Sequence, residues 1–95
     1  MIIDGQVWSD LRLFLEVARW KSFNKAAPAL GSSHPTMLRA VRRLERTLGT
    51  KLVIASETGT ELTKAGRTLA GKLKAPERAI AGAIRSVQGL GTPRE

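Results

Sequence analysis

Residues 23–48, FNKAAPALGSSHPTMLRAVRRLERTL, constrain the fold more tightly than any other stretch, because they place two short helical patterns around Gly31 and load the second with arginine. Asn24 can cap the first helix, whose inward face would be Ala26, Ala27 and Leu30, with Phe23 packing against it from outside the cap. The alanines let a neighbouring helix come close. Pro28 lacks the N–H that would bond the cap carbonyl, so a tightened start is expected. Gly31 then ends the helix, since glycine readily takes the left-handed conformation found at helix C-termini. Ser33 can cap the second helix, with Pro35 tolerated in its first turn. Met37, Val41, Leu44 and Leu48 recur at steps of four, three and four, which makes one core-facing stripe. His34, Pro35, Leu38, Arg39 and Arg42 fall on the free face, with Arg43 and Arg46 beside it, and Gly49 closes the helix.

The flanks extend this pattern. Ser9 is a candidate N-cap for a helix over residues 10–20, with Trp8 and Leu13 at the spacing of a hydrophobic staple. In that helix Leu11, Phe14, Leu15 and Ala18 form an apolar stripe, opposite Arg12, Glu16 and Arg19. After Gly49, KLVIASETGTELT reads as two short strands joined by a tight turn at Thr58 and Gly59. From Lys64 the pattern is helical again, and Leu69, Leu73, Pro76, Ile80, Ala83 and Val87 step as a helix-pairing seam does. Pro76 interrupts that seam, so a break is expected near Lys74 and Ala75, giving two helical segments before the loose tail GLGTPRE. The expected fold class is mainly α. A winged helix-turn-helix of three helices and a β-hairpin wing would fill residues 1–63, a long, Pro-kinked linker helix residues 64–89, and a flexible tail residues 90–95.

Composition narrows the function. The 95 residues carry 16 Lys+Arg against 8 Asp+Glu, a formal charge of +8, which favours a polyanionic partner, although solubility accounts for some excess charge as well. There is no cysteine and no tyrosine, and a single histidine. No disulfide or thiolate metal site is therefore available, no metal or cofactor is expected, and no catalytic constellation is visible, so an enzyme is not expected. The longest apolar runs are far too short to span a bilayer. The N-terminus MIIDGQVWSD lacks the basic start and apolar stretch of a signal peptide, so a cytoplasmic, nucleoid-associated protein is expected. No internal repeat is apparent.

SDLRLFLEVARWKSFNKAAPALGSSHPTMLRAVRRLERTLGTKL, followed by ELTKAGRTL, resembles the N-terminal DNA-binding domain of bacterial LysR-type transcriptional regulators, over roughly residues 8–73. The resemblance is carried by Phe23, Ala26, Ala27 and Leu30, by the SxPT segment from Ser33 to Arg39, by RRLE at 42–45 and by LTxAG at 62–66. It implies a winged helix-turn-helix whose third helix enters the major groove, and a linker helix that pairs antiparallel with its copy, so that a homodimer reads two half-sites on double-stranded DNA. The implied DNA-binding residues are Asn24, Ser33, His34, Pro35, Thr36, Leu38, Arg39, Arg42, Arg43, Thr58, Lys64 and Arg67. Leu69, Leu73, Ile80, Ile84 and Val87 are the implied dimerisation residues. The family continues into a larger ligand-sensing domain, so no small-molecule effector site is expected within these residues.

Departures from the family pattern are informative. The family usually has Gln where this chain has His34, and Ser or Thr where it has Leu38, both at base-facing positions. His34 could bond a purine edge or a phosphate, and Leu38 could press on a thymine methyl, so the preferred sequence should differ from that of a typical relative. The family commonly has arginines in the wing, where this chain has ASET at 55–58, so weaker minor-groove contact is expected and more phosphate contact should fall to Arg39, Arg42, Arg43, Lys64 and Arg67. Plainer readings remain open at this point. Arg42, Arg43 and Arg46 could be a solvated face flanking Glu45, Leu38 an isolated exposed apolar residue, and the seam after Lys64 could pack on its own domain. The alternative function is a protein-interaction module of the same fold that binds another regulator rather than DNA.

Overall fold

A computed structural model describes residues 3–91. It contains helices α1 (Gly5–Trp20), α2 (Phe23–Ala29) and α3 (His34–Leu48), strands β1 (Val53–Ser56) and β2 (Gly59–Leu62), and a final helix α4 (Lys64–Leu90).

Helix α1 starts at Gly5, earlier than the Ser9 cap predicts. The cap is Asp4, whose carboxylate accepts the Val7 N–H at 2.9 Å, so Ser9 lies inside the helix and Trp8, 52% exposed, staples nothing. The extra turn moves the buried stripe to Val7, Asp10, Phe14 and Val17, leaving Leu11, Leu15 and Ala18 half-buried along its edge. Lys21 ends α1 in the left-handed region at φ 53°, donating its N–H to the Val17 carbonyl at 2.7 Å.

Helix α2 is capped by Ser22 rather than Asn24, and Phe23 is its first, buried residue rather than a residue outside the cap. Serine wins because its hydroxyl accepts the Lys25 N–H at 3.2 Å while Phe23 drops into the core. Ala26 and Ala27 are buried as expected, and Leu30 is half-buried. The tightening attributed to Pro28 appears at the end of the helix, where Leu30 N–H bonds the Ala27 carbonyl three residues back at 3.1 Å. Ser32 N–H then reaches Ala27 O at 2.9 Å and Gly31 N–H reaches Pro28 O at 3.2 Å, a Schellman closure that requires the φ of +61° adopted by Gly31.

Helix α3 follows its predicted course. The Ser33 hydroxyl accepts the Thr36 N–H at 3.3 Å, Pro35 sits in the first turn, and Gly49 closes the helix at φ +71°. Met37, Val41 and Leu44 are fully buried and Leu48 is half-buried. Together with Phe14, Val17, Phe23, Leu52 and Val53 they form the core between α1, α2 and α3. Each large apolar side chain buried there contributes about 1.5–3 kcal/mol before conformational entropy is counted.

The wing is a two-stranded antiparallel ribbon whose register runs from Val53↔Leu62 to Ser56↔Gly59. Its turn is therefore Glu57–Thr58, and Gly59 opens β2 instead of occupying the turn as predicted. Thr60 N–H donates to the Lys21 carbonyl at 3.2 Å, which ties the wing to the α1–α2 turn.

Helix α4 begins at a Thr63 cap, where the hydroxyl accepts the Gly66 N–H at 3.0 Å, and Ala65, Leu69 and Ala70 pack on the core. It runs uninterrupted through Pro76 to Leu90, so the two segments predicted on either side of Lys74 and Ala75 are one helix. Proline costs one backbone bond, and the exposed position of Pro76 lets water satisfy the freed carbonyl. Gly91 N–H closes the helix on the Val87 carbonyl at 2.9 Å. Of the tail predicted over residues 90–95, Leu90 is helical and residues 92–95 lie outside the described residues. Among the described residues no helix is long and apolar enough to cross a membrane.

Candidate nucleic-acid interface

The free face of α3 and the start of α2 meet in one concave strip. Phe23, Asn24, His34, Leu38, Arg42 and Ile54 line an open cleft of about 280 Å³ between α2, α3 and β1. Within it the His34 ring stacks on Phe23 with centroids 5.1 Å apart and planes 13° from parallel, and His34 Nδ1 lies 2.8 Å from Asn24 Oδ1. Asn24 lies inside α2 rather than at its cap, so its side chain is free to hold the histidine. Leu38 is half-buried against the core, so it is the margin of the apolar stripe as well as part of the cleft floor.

Beside the cleft a second set of side chains is joined by hydrogen bonds. The Ser33 hydroxyl donates to Thr36 Oγ1 at 2.9 Å, and Arg39 Nη2 donates to the same oxygen at 3.3 Å. Arg39 is exposed and has no carboxylate partner among the described residues, so its charge is available to an outside anion. Pro35 is exposed in the first turn, next to backbone N–H groups at the positive end of the helix. Thr58 is exposed at the wing tip, Lys64 is exposed at the start of α4, and Arg67 Nη1 donates to the Leu62 carbonyl at 3.0 Å.

The arginines of α3 divide into two groups, which their sequence position does not reveal. Arg43 grips Asp10 of α1 with two bonds, Nε to Oδ2 at 2.9 Å and Nη2 to Oδ1 at 2.8 Å, and Gln6 Nε2 also donates to Asp10 at 3.1 Å. The Asp10 hydrogen bond, opposed by desolvation and aided by the Asp10 charge, raises the Arg43 pKa above its ordinary value. Arg43 therefore clamps α3 to α1, while its side chain stays 41% exposed. Arg42 bonds Glu45 at 3.0 Å on one side while lining the cleft on the other. Arg46 is exposed without an acidic partner among the described residues.

Glu45 is the other polar residue that patterning overlooked, since it is the one acid of an arginine-rich helix yet is buried. Its carboxylate accepts the backbone N–H groups of Leu52 at 2.8 Å and Val53 at 3.2 Å, so it anchors the wing to α3. Burial pushes the Glu45 carboxyl up, but the Leu52 N–H, the Arg42 side chain and the Val53 N–H together hold it below its ordinary value. A single acidic residue in a helix whose other charges are all arginine, followed within eight residues by the start of a strand, was the available signal.

Residues 8–67 match the model of the bacterial regulatory helix-turn-helix proteins of the lysR family. The chain belongs to the lysR family. Among its relatives in that family, the HTH-type transcriptional regulator BbuR of Bordetella bronchiseptica is 45% identical over 62 residues, which are 65% of this chain and 19% of that protein. Two solved lysR-family structures show the same architecture. OxyR of Corynebacterium glutamicum, as a C206 mutant, superimposes with a TM-score of 0.79 at 30% identity, covering 88% of this chain and 27% of that one. The DNA-binding domain of CbnR, solved as a complex with DNA, superimposes with a TM-score of 0.72 at 30% identity, covering 88% of this chain and 98% of that one. The chain thus spans a small part of the length of BbuR and nearly all of the CbnR domain.

Proposed function

We propose that this chain binds double-stranded DNA sequence-specifically as the DNA-reading part of a bacterial transcription regulator, with the N-terminal half of α3 in the major groove. The observation that carries this reading is the free strip of α3. It presents His34, Pro35, Thr36 and Arg39 on one exposed surface at a helix N-terminus, with Arg39 bonded only to a neighbouring hydroxyl. A major groove admits one helix, and an arginine with no carboxylate partner among the described residues supplies a phosphate contact that positions it. The similarity to the CbnR domain solved on DNA supports the same docking. Ser33, Arg42, Thr58, Lys64 and Arg67 would contribute contacts around this centre, whereas Arg43 serves the fold. The cytoplasm, beside the chromosome, is the compartment this role requires.

The chain acts as a homodimer in this reading. Ile80, Ile84 and Val87 on α4 are exposed by 51%, 54% and 69%, an apolar stripe beyond the reach of the core, and Leu73 continues it. Leu69 is shared with the chain's own core. Two copies pairing through this stripe would present two α3 helices to two half-sites.

Duplex binding measured at low salt, where phosphate contacts are strongest, tests the reading. Binding that weakens steeply as salt rises is expected. Undetectable binding at low salt would refute it and leave α3 as a surface for another protein.

A further inference from the structure

We infer that Asn24 fixes His34 in its Nδ1–H tautomer, so that His34 reads a base through Nε2 as an acceptor, and that this base offers an exocyclic amino group, adenine N6 or cytosine N4. This rests on the reading of α3 as the groove-entering helix. An amide oxygen only accepts, so the 2.8 Å contact between Asn24 Oδ1 and His34 Nδ1 places the proton on Nδ1. The neutral ring then carries its lone pair on Nε2, which has no hydrogen-bond partner among the described residues. Stacking on buried Phe23 restrains the ring plane and keeps it from turning to exchange its two nitrogens.

An acceptor at this place has a restricted set of partners. In the major groove guanine presents N7 and O6, and thymine presents O4 and a methyl group; none of these donates. Adenine N6 and cytosine N4 do. A phosphate oxygen, itself an acceptor, is likewise excluded while the ring is neutral. A glutamine would offer both an acceptor and a donor, so His34 narrows the choice.

The first test is the long-range proton–nitrogen NMR spectrum of the histidine ring, recorded at about pH 8, above the ordinary range of histidine titration. The wild type should show a protonated Nδ1 and a bare Nε2, and Asn24→Ala should show a mixture of tautomers. A wild-type spectrum with the proton on Nε2 overturns the proposal. The second test selects duplexes from a random pool and finds the base pair at which His34→Ala loses its preference. At that pair, purine replaces adenine, or pyrimidin-2-one replaces cytosine, to delete the amino group.

Wild type should lose about tenfold in affinity on that deletion, while His34→Ala should be nearly indifferent to it and Asn24→Ala should lose less than the wild type. Whichever of the two analogues costs affinity identifies the base. Loss on 7-deazapurine substitution instead, with no loss on amino deletion, means that His34 donates and overturns the assignment. Unaltered preference at every position in His34→Ala also overturns it, while leaving DNA binding intact. Failure of the wild type to bind any duplex overturns the proposed function and this assignment together.

Discussion

Removing the Glu45 carboxylate would strand the backbone N–H groups of Leu52 and Val53 between α3 and the wing. Each unsatisfied buried donor costs about 1–3 kcal/mol, so Glu45→Ala should lose about 2–4 kcal/mol in denaturant unfolding, and Glu45→Gln, which keeps one oxygen, less. Because the folded Glu45 carboxyl is held below its ordinary value, its contribution is full above the usual glutamate range near about 4.3. It is lost as pH falls through the lower folded value. Thermal melts taken down to about pH 3 should therefore show an acid-dependent loss that shrinks in Glu45→Gln. The two neighbouring arginines on α3 separate fold from function in the same way. Arg39→Ala should weaken binding to all duplexes, reduce the salt slope by about one and leave melting unchanged. Arg43→Ala leaves buried Asp10 without its clamp and should lower the melting temperature instead.

At the scale of the element, Gly66 shows why α4 can dock where it does. A Cβ at this position would collide with the Leu52 carbonyl oxygen, whereas one at Gly71 meets nothing within 4 Å. Gly66→Ala should therefore destabilise by at least about 2 kcal/mol, since backbone cannot yield as a flexible side chain does. Gly71→Ala, on the open side of the same helix, should be neutral or stabilising by up to about 1 kcal/mol. Denaturant midpoints of the two variants check the contrast. Elements with strong local punctuation were legible in the sequence: Ser33, Pro35 and Gly49 bracket α3 alone, and the steps of its apolar stripe need no tertiary knowledge. Helix starts with competing caps were not. Asp4 and Ser22 win over Ser9 and Asn24 because Val7 and Phe23 are buried only in the longer helices, a fact of packing. The same holds for the site. His34, Leu38 and Arg39 were visible as a free face, but the Phe23–His34 stack, the Asn24 hold and the transfer of Arg43 to Asp10 join residues from different helices, and spacing within one helix does not encode them.

For the molecule as a whole, the proposed homodimer rests on α4. An apolar stripe at Ile80, Ile84 and Val87 that stays more than half exposed in its own chain should seal a pair. Ile84→Asp is expected to halve the mass seen by light scattering at micromolar concentration, to leave the melting of the wing and core unaltered, and to weaken binding to a two-half-site duplex far more than to a single half-site. A variant that keeps its mass removes α4 from dimerisation. The central claim concerns which surface meets DNA, and amide chemical shifts followed by NMR during titration with a duplex selected from a random pool test it most directly. Shifts concentrated in the first half of α3, from Ser33 to Arg42, with smaller ones at Asn24, Thr58 and the first turn of α4, are expected. Shifts confined to the outer stripe of α4, or to the Asp10 side of α1, with none along the first half of α3, would contradict it.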